Sequence, residues 1–412
     1  MAKIKPVNYL RLTAGYDVSG NDDIDYYAAR SYFSSSQFLE AIAGLSFSGI
    51  GNTKIQWETT RRLNIGIETS LFDNRVNLSA NYFTSTTDNL LTKQSLGFLS
   101  GLDENWTNDG KLKNHGFDVS AAVKVLAMKD FQWEVGGSIG HYKNEITQLP
   151  EGKDFVDTEI YGATIRTQVG QAANLFYGYK SLGVFAKTEE AKNASASAAG
   201  KDTYDPNGLY VMAENGVDRN YFKAGDIHFA DLNNDGMITE ADRTVIGDPN
   251  PDIYGNIFTT FAYKRLKLDL RFNYSLGNDV YNYMRSQLEG GSRFMNQSTA
   301  MIRRWQVEGQ STDIPQITFQ DPMGNSRFSN RWIEDGSYLR LKSITLSYDL
   351  PMNNEYLQGL QFWIQANNVF TWTKYLGSDP EFAMTSSVLG QGIDVGQLSQ
   401  SRSIVAGIKI KF

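Results

Sequence analysis

Apolar and polar residues alternate along much of this chain, and the alternating runs come in pairs. In NYLRLTAGYDVSG, Leu10, Leu12, Ala14, Tyr16 and Val18 share one parity. In RLNIGIETSLF, Leu63, Ile65, Ile67 and Leu71 fall together, opposite Arg62, Asn64, Glu68 and Ser70. RVNLSANYF repeats the pattern with Val76, Leu78, Ala80 and Tyr82, just after Asp73-Asn74. A period of two marks a strand with unlike faces, and a short polar break between two such runs marks an antiparallel hairpin. GFDVSAAVKVL and FQWEVGGSIGHY form a second such pair, and IFTTFAYKRLKLDLRFNYSLG a third. SYLRLKSITLSYDL, LQFWIQANNVFTW and SRSIVAGIKIKF close the series.

Many of these runs extend about 9–13 residues. A tilted strand crosses a bilayer in about 9–11 residues, whereas soluble strands average about 5–6. The connections come in two sizes. Those at Asp73-Asn74 and Lys264-Arg265 are tight, while the intervals 84–108, 145–177, 187–256, 284–337 and 374–401 are long. Tight turns on one rim and long loops on the other predict an all-β fold: a transmembrane antiparallel β-barrel, partial, with about 12–14 strands and long extracellular loops. Segments 177–185 and 278–283 complete that count. A large soluble all-β protein is the competing architecture; the chain shows no propeller-like period. Within the loops, AKTEEAKNASASAAG reads as an exposed helical turn plus loop. MNQSTAMIRRWQVEG reads as a helix capped by Ser298 or Thr299, with Met301, Ile302 and Trp305 on one side.

Composition sharpens this picture. Tyr 22, Phe 23 and Trp 7 make the chain 13% aromatic, with Gly 37 against Pro 9, as expected of sheet with many turns. Mean hydropathy is −0.39 and no apolar run reaches helical-span length, so a helical membrane protein is excluded. Cysteine is absent, which removes disulfides and thiolate metal sites. The net charge of −7 and the lack of a long basic run argue against nucleic acid as a partner. MAKIKPVNYL has no apolar core of a signal peptide.

One motif carries chemistry. In FADLNNDGMITEADR, residues Asp231, Asn233, Asp235, Met237, Thr239 and Asp242 fall at places 1, 3, 5, 7, 9 and 12 of a twelve-residue loop. Short oxygen side chains at that spacing converge on one hard cation while Gly236 permits the tight turn. Met237 would give its carbonyl and Thr239 would act through water. Asp242 stands where the usual loop has Glu. An all-oxygen set points to structural Ca2+. The alternative is a turn whose side chains cap their own backbone. AGDIHF, just upstream, does not read as an entering helix, so the loop stands alone.

Catalytic signatures are missing. His115, His141 and His228 are scattered and lack metal-ligand spacing, and no nucleophile elbow or phosphate loop occurs. The expectation is that the chain is not an enzyme. Trp106, Tyr204, Tyr210, Trp305, Phe328 and Trp332 could stack on sugars or peptides, or fill a loop core.

Several blocks, in order along nearly the whole chain, resemble the SusC/RagA class of TonB-dependent outer-membrane transporters. They are LRLTAGYDVSGN, IQWETTRRLNIGIETSLFDNRVNLSANYFTSTTDNLL, GKLKNHGFDVS, the long block from FADLNNDG to NDVYNY, RWIEDGSYLRLKSITLSYDLP, FWIQANNVFTWTKYLGSDPE and the closing Phe412. The resemblance implies a barrel of roughly 22 strands around a plug. Residues 1–412 would be its C-terminal part. Residues 186–256 would be a long extracellular loop region holding the calcium-like loop 231–242. The implied function is import of an oligosaccharide or peptide. Implied partners are a SusD-like surface lipoprotein, TonB acting through the plug, and outer-membrane lipid. An upstream segment or a separate polypeptide is expected to supply the plug and the missing strands, because open sheet edges cannot stand in lipid. A non-transporting docking component of a split barrel is the alternative.

Overall fold

The computed structural model describes the chain apart from residues 1–5, 23, 25–27, 39–41, 96–103, 199–204, 206, 353–356 and 383–387. Ten strands form one large antiparallel sheet: β1 (Val7–Asn21), β2 (Glu58–Leu71), β3 (Val76–Ser95), β4 (Glu104–Ala127), β5 (Phe131–Gln148), β6 (Ile253–Tyr263), β7 (Leu266–Leu276), β8 (Tyr338–Pro351), β9 (Gly359–Thr373) and β10 (Ser403–Lys411). Their spatial order is their chain order, so every neighbour is made by a hairpin or a loop. Each of the alternating runs read from the sequence is a strand of this sheet.

The register keeps the two faces apart across the sheet. One row pairs Leu71, Val76, Val123, Val135, Thr259, Leu270, Ile344, Ala366 and Ile404 in turn. A row of the opposite parity pairs Glu68, Ser79, Ser120, Ser138, Asn256, Asn273 and Arg340. A slip of one residue would exchange these faces. The apolar face is uncovered: Leu12 is 72% exposed, Ile65 53% and Ile408 61%. An apolar surface that runs across a whole sheet is far larger than a soluble protein leaves in water, and it suits hydrocarbon.

Tight turns join the strands at one rim. Phe72, Asp73, Asn74 and Lys264 there adopt positive φ, the left-handed conformation such turns demand. The other rim carries the long connections, which have their own secondary structure. Arg243–Gly247, Leu175–Tyr179, Ala163–Gln168 and Phe155–Ile160 make a four-stranded sheet, and Ser181–Val184 pairs with Ile227–Phe229.

Several expectations change. The sheet has ten strands in place of 12–14, and no sheet among the described residues closes on itself, so a transmembrane barrel is not what the structure contains. β1 and β10 are edges, each paired on one side only. Segments 177–185 and 278–283, counted as spanning strands, pair instead inside the loop region, as Leu175–Tyr179, Ser181–Val184 and Asp279–Asn282. These are short, and Val280 and Tyr281 are both buried, so they lack the one-sided alternation of a spanning strand. The interval 84–108 is mostly strand, because β3 and β4 run on far past the neighbouring pairs.

Segment 186–200 forms a true α-helix, Thr188–Ala198, and it is not simply exposed, since Ala191 and Ala194 are buried. Segment 295–309 yields only the 3-10 turn Thr299–Arg303. Ser298 caps it as expected, its Oγ accepting from Ala300 N at 3.0 Å. The turn stops at Arg304 because Trp305 N then donates to Ile314 O at 2.9 Å. Met301 is buried while Ile302 is exposed, so the anticipated shared side does not form.

Candidate functional site

The loop 231–242 leaves the short strand Ile227–Phe229 and closes on a one-turn 3-10 helix, Glu240–Asp242. Its acidic side chains wrap the backbone as the spacing requires. Asp231 Oδ1 accepts from Asp235 N at 3.2 Å and its Oδ2 from Gly236 N at 2.8 Å. Asn233 Oδ1 accepts from Asp235 N at 3.0 Å, and Asp235 Oδ1 from Met237 N at 2.8 Å. Gly236 sits at φ +81°, where a side chain would be strained. Asp242 is fully buried. Its Oδ1 accepts from Leu232 N at 2.9 Å and its Oδ2 from Thr239 N at 2.7 Å, closing the loop end to end. Thr239 Oγ1 in turn accepts from Ala241 N at 3.2 Å, completing a capping box.

Thr239 and Asp242 therefore serve as caps, while Asp231, Asn233 and Asp235 hold the turn open between them. Desolvation pushes the Asp231 carboxyl above its ordinary range, and the nearby Asp242 charge adds to the shift. A cation between these carboxylates would relieve both effects. The oxygen-only donors fit a hard cation chemically. Among the described residues, however, no three His, Asp or Glu side chains are gathered into a metal-holding group. The loop is thus also complete as a self-capped turn.

The loop is wired into its surroundings. Tyr179 donates from its hydroxyl to Glu240 Oε1 at 3.2 Å. Arg243 bonds Glu240 and Thr164 and lies against the Tyr177 ring at 5.2 Å. Upstream, buried Asp226 accepts from Gln316 Nε2 at 2.9 Å and Asn325 Nδ2 at 3.0 Å. Asn325 Oδ1 accepts from Ile227 N at 2.7 Å. Asp226, Gln316 and Asn325 thereby fasten the loops 187–252 and 284–337 together. No sequence signal marks them as partners, because they lie about 90–100 residues apart.

Two apolar clusters fill the loop region. One joins Phe185, Leu209, Phe222, Ile227, Phe229 and Met323; the other joins Ile165, Phe176, Tyr281, Trp332 and Ile393. Trp332 Nε1 donates to Arg327 O at 3.1 Å, and Trp305 Nε1 to Ala186 O at 3.3 Å. Trp332 and Phe328 are therefore loop-core residues, and Tyr210 packs on Tyr221 at 5.7 Å. Tyr204 lies outside the described residues. His228 stacks on Phe185 at 4.4 Å, and burial lowers its pKa. His141 Nδ1 lies 2.6 Å from Asp252 O, and His115 stays within β4.

Beneath the loops, the polar face of the sheet carries a cavity of about 490 Å³ whose lining includes Ser79, Asn81, Ser120, Ser138, Asn256 and Asn273. Most of the polar side chains in this lining are uncharged hydrogen-bonding groups, with Asp118 as its carboxylate. The loop 374–401 is tied to the same face. Arg340, only 2% exposed, bonds Asp379 and reaches Glu381 at 3.2 Å.

Residues 5–369 match the family model described as TonB dependent receptor-like, beta-barrel. TonB-dependent receptor P3 of Formosa agariphila is 30% identical over 97% of this chain and 39% of its own length. TonB-dependent receptor SusC of Bacteroides thetaiotaomicron is 24% identical over 99% of this chain and 38% of its own. A solved structure of the RagAB peptide importer in its "closed-closed" state is 25% identical, with a TM-score of 0.76 over 100% of this chain and 42% of that one.

Proposed function

Because the chain belongs to the TonB-dependent receptor-like β-barrel family, we propose that it is part of an importer carrying an oligosaccharide or peptide across the outer membrane with a SusD-like surface lipoprotein. The family is one of outer-membrane transport proteins; the outer membrane is the chain's location, and the chain is not an enzyme. It spans about 40% of the length of the relatives it matches, so import is an activity of the larger protein.

The observation that carries this reading is the two-faced sheet beneath a loop region with its own core. The apolar face meets lipid. The Ser/Asn face bounds an aqueous path, and the loops cap that path on the outside. TonB would act through a plug contributed by the rest of the protein. Deleting the gene should abolish uptake of one labelled oligosaccharide or peptide by intact cells. Unchanged uptake of every labelled oligosaccharide and peptide tried would sink the importer. If the lipoprotein still co-purified with the protein, the outcome would favour a docking component.

The loop 231–242 we assign to structural Ca2+, held by Asp231, Asn233, Asp235, the Met237 carbonyl, Thr239 and Asp242. Support comes from the spacing, the oxygen donors and the two acids facing each other. Its role would be to keep a long loop in one shape. Calorimetric titration of the full-length protein should lose one calcium site when Asp231 and Asp235 are both changed to Ala. Equal stoichiometry in the two proteins would remove the site.

A further inference from the structure

On the apolar face of β2 to β5, the apolar band ends along one line. The register gives four successive cross-strand rows of one parity. Nearest the turn rim is Ile67, Ala80, Val119 and Ile139, followed by Ile65, Tyr82, Phe117 and His141. Leu63, Thr84, His115 and Lys143 come next, then Arg61, Thr86, Lys113 and Glu145. No bulge interrupts these pairings, so all of these side chains stand on the lipid-facing side. Tyr82 and Phe117 are exposed, and the Phe117 ring lies 5.6 Å from that of His141. Arg61 is ten positions along β2 from Leu71 at the tight turn. That separation is about 33 Å of strand and about 25 Å of height at the usual barrel tilt. It equals the thickness of a barrel's apolar band, so the change from aromatic to cationic side chains falls at the headgroup layer on the loop side.

Arg61, Lys111, Lys113 and Lys143 stand at that level, with the carboxylates Asp88 and Glu145 among them. Asp88 is taken: Arg61 bonds it, and Lys111 Nζ lies 3.9 Å from it. Glu145 is opposite Lys113 by register, yet among the described residues neither Lys113 nor Lys143 forms an ion pair. The two lysines are exposed diagonal neighbours on adjacent strands, about 7–8 Å apart at the backbone. Two ammonium groups that close repel, and one phosphate within reach of both removes that cost.

We propose that Lys113 and Lys143 hold the phosphate of an anionic lipid in the leaflet on the loop side, with its acyl chains along Tyr82, Phe117, Val119 and Ile139. This rests on the outer-membrane location. The register puts the headgroup contacts and the chain contacts on one face, in successive rows about 7 Å apart. The lipid is defined by its chemistry: a phosphate with net negative charge for the lysines, and hydrocarbon for the aromatic and aliphatic rows. A free phosphate would satisfy the lysines and make no use of those rows.

Native mass spectrometry of the full-length protein in detergent tests this, with phosphatidylglycerol, phosphatidylcholine and inorganic phosphate as probes. Wild type should retain phosphatidylglycerol about tenfold over phosphatidylcholine, and millimolar inorganic phosphate should not displace it. Lys113→Gln with Lys143→Gln should lose most of that preference, and Lys113→Arg with Lys143→Arg should keep it. Lys409→Gln with Lys411→Gln, an equal change of charge on the opposite face at the turn rim, should also keep it. Equal retention of the two lipids by wild type, an unchanged preference in the first variant, an equal loss in the last, or full displacement by phosphate would each overturn the proposal. Recovery of the full-length protein in solution without detergent would instead overturn the location on which it rests.

Discussion

The sheet and the loop region dispose of their apolar side chains in opposite ways. In the sheet, Leu12, Ile65 and Ile408 stand exposed together on one face, while Ser120, Ser138 and Asn256 share the opposite, polar face. In the loops, Phe176, Trp332 and Ile393 are buried in a conventional core. One chain thus obeys two solvents. The sheet takes its stability from backbone pairing and from hydrocarbon outside it, whereas the loops take theirs from water exclusion within. The same substitution should therefore have opposite consequences in the two regions.

The largest expected effect is in the loop core. Trp332→Ala should cost about 3–5 kcal/mol of local stability. Hydrogen exchange should show it as lost protection in 155–247 and 279–335, with the sheet amides unchanged. A global loss would break the division drawn here. Next is Asp379→Asn, which leaves Arg340 without its buried counter-charge and should cost about 3 kcal/mol or more. Proteolysis within 374–401 should then accelerate. On the apolar face, Ile257→Lys should cost about 2–4 kcal/mol in lipid, while Asn256→Lys beside it should cost less than 1. Urea unfolding in vesicles measures both, and equal costs would erase the distinction between the faces.

The smallest effect concerns the loop 231–242. Asp231 is raised in the folded loop, so without calcium its protonated form favours folding. That contribution is present below the ordinary aspartate range and lost as pH rises through the raised value. Loop amides in calcium-free protein should accordingly gain protection as pH falls, and Asp231→Asn should flatten the dependence. With calcium added, acid should instead loosen the loop, because protons displace the ion.

How much of this was readable in the sequence follows the same division. The sheet was legible strand by strand, because a period of two survives wherever one face meets a different solvent from the other. The strand count failed at Leu175–Val184 and Asp279–Asn282, short pairings inside the loop region where burial does not alternate from one residue to the next as it does along a spanning strand. The turn chemistry of 231–242 was legible because it is local, with every hydrogen bond falling within about a dozen residues. Whether a side chain such as Trp332 was a binding platform or a core residue was not legible, since only the approach of Arg327, Tyr281 and Ile393 decides it. The links between Asp226, Gln316 and Asn325, and between Arg340 and Asp379, left no trace in spacing.

The core that joins Ala163 to Ile393 also bears on the order of events as the protein is made. Each hairpin of the sheet can close as soon as its second strand emerges, since β2 meets β3 across a few residues. The loop core cannot, because its last side chain arrives some 230 residues after its first. Contacts so distant in sequence form slowly. Folding should therefore begin at the turn rim and finish at the loops, with the loop core the last part of the protein to become native.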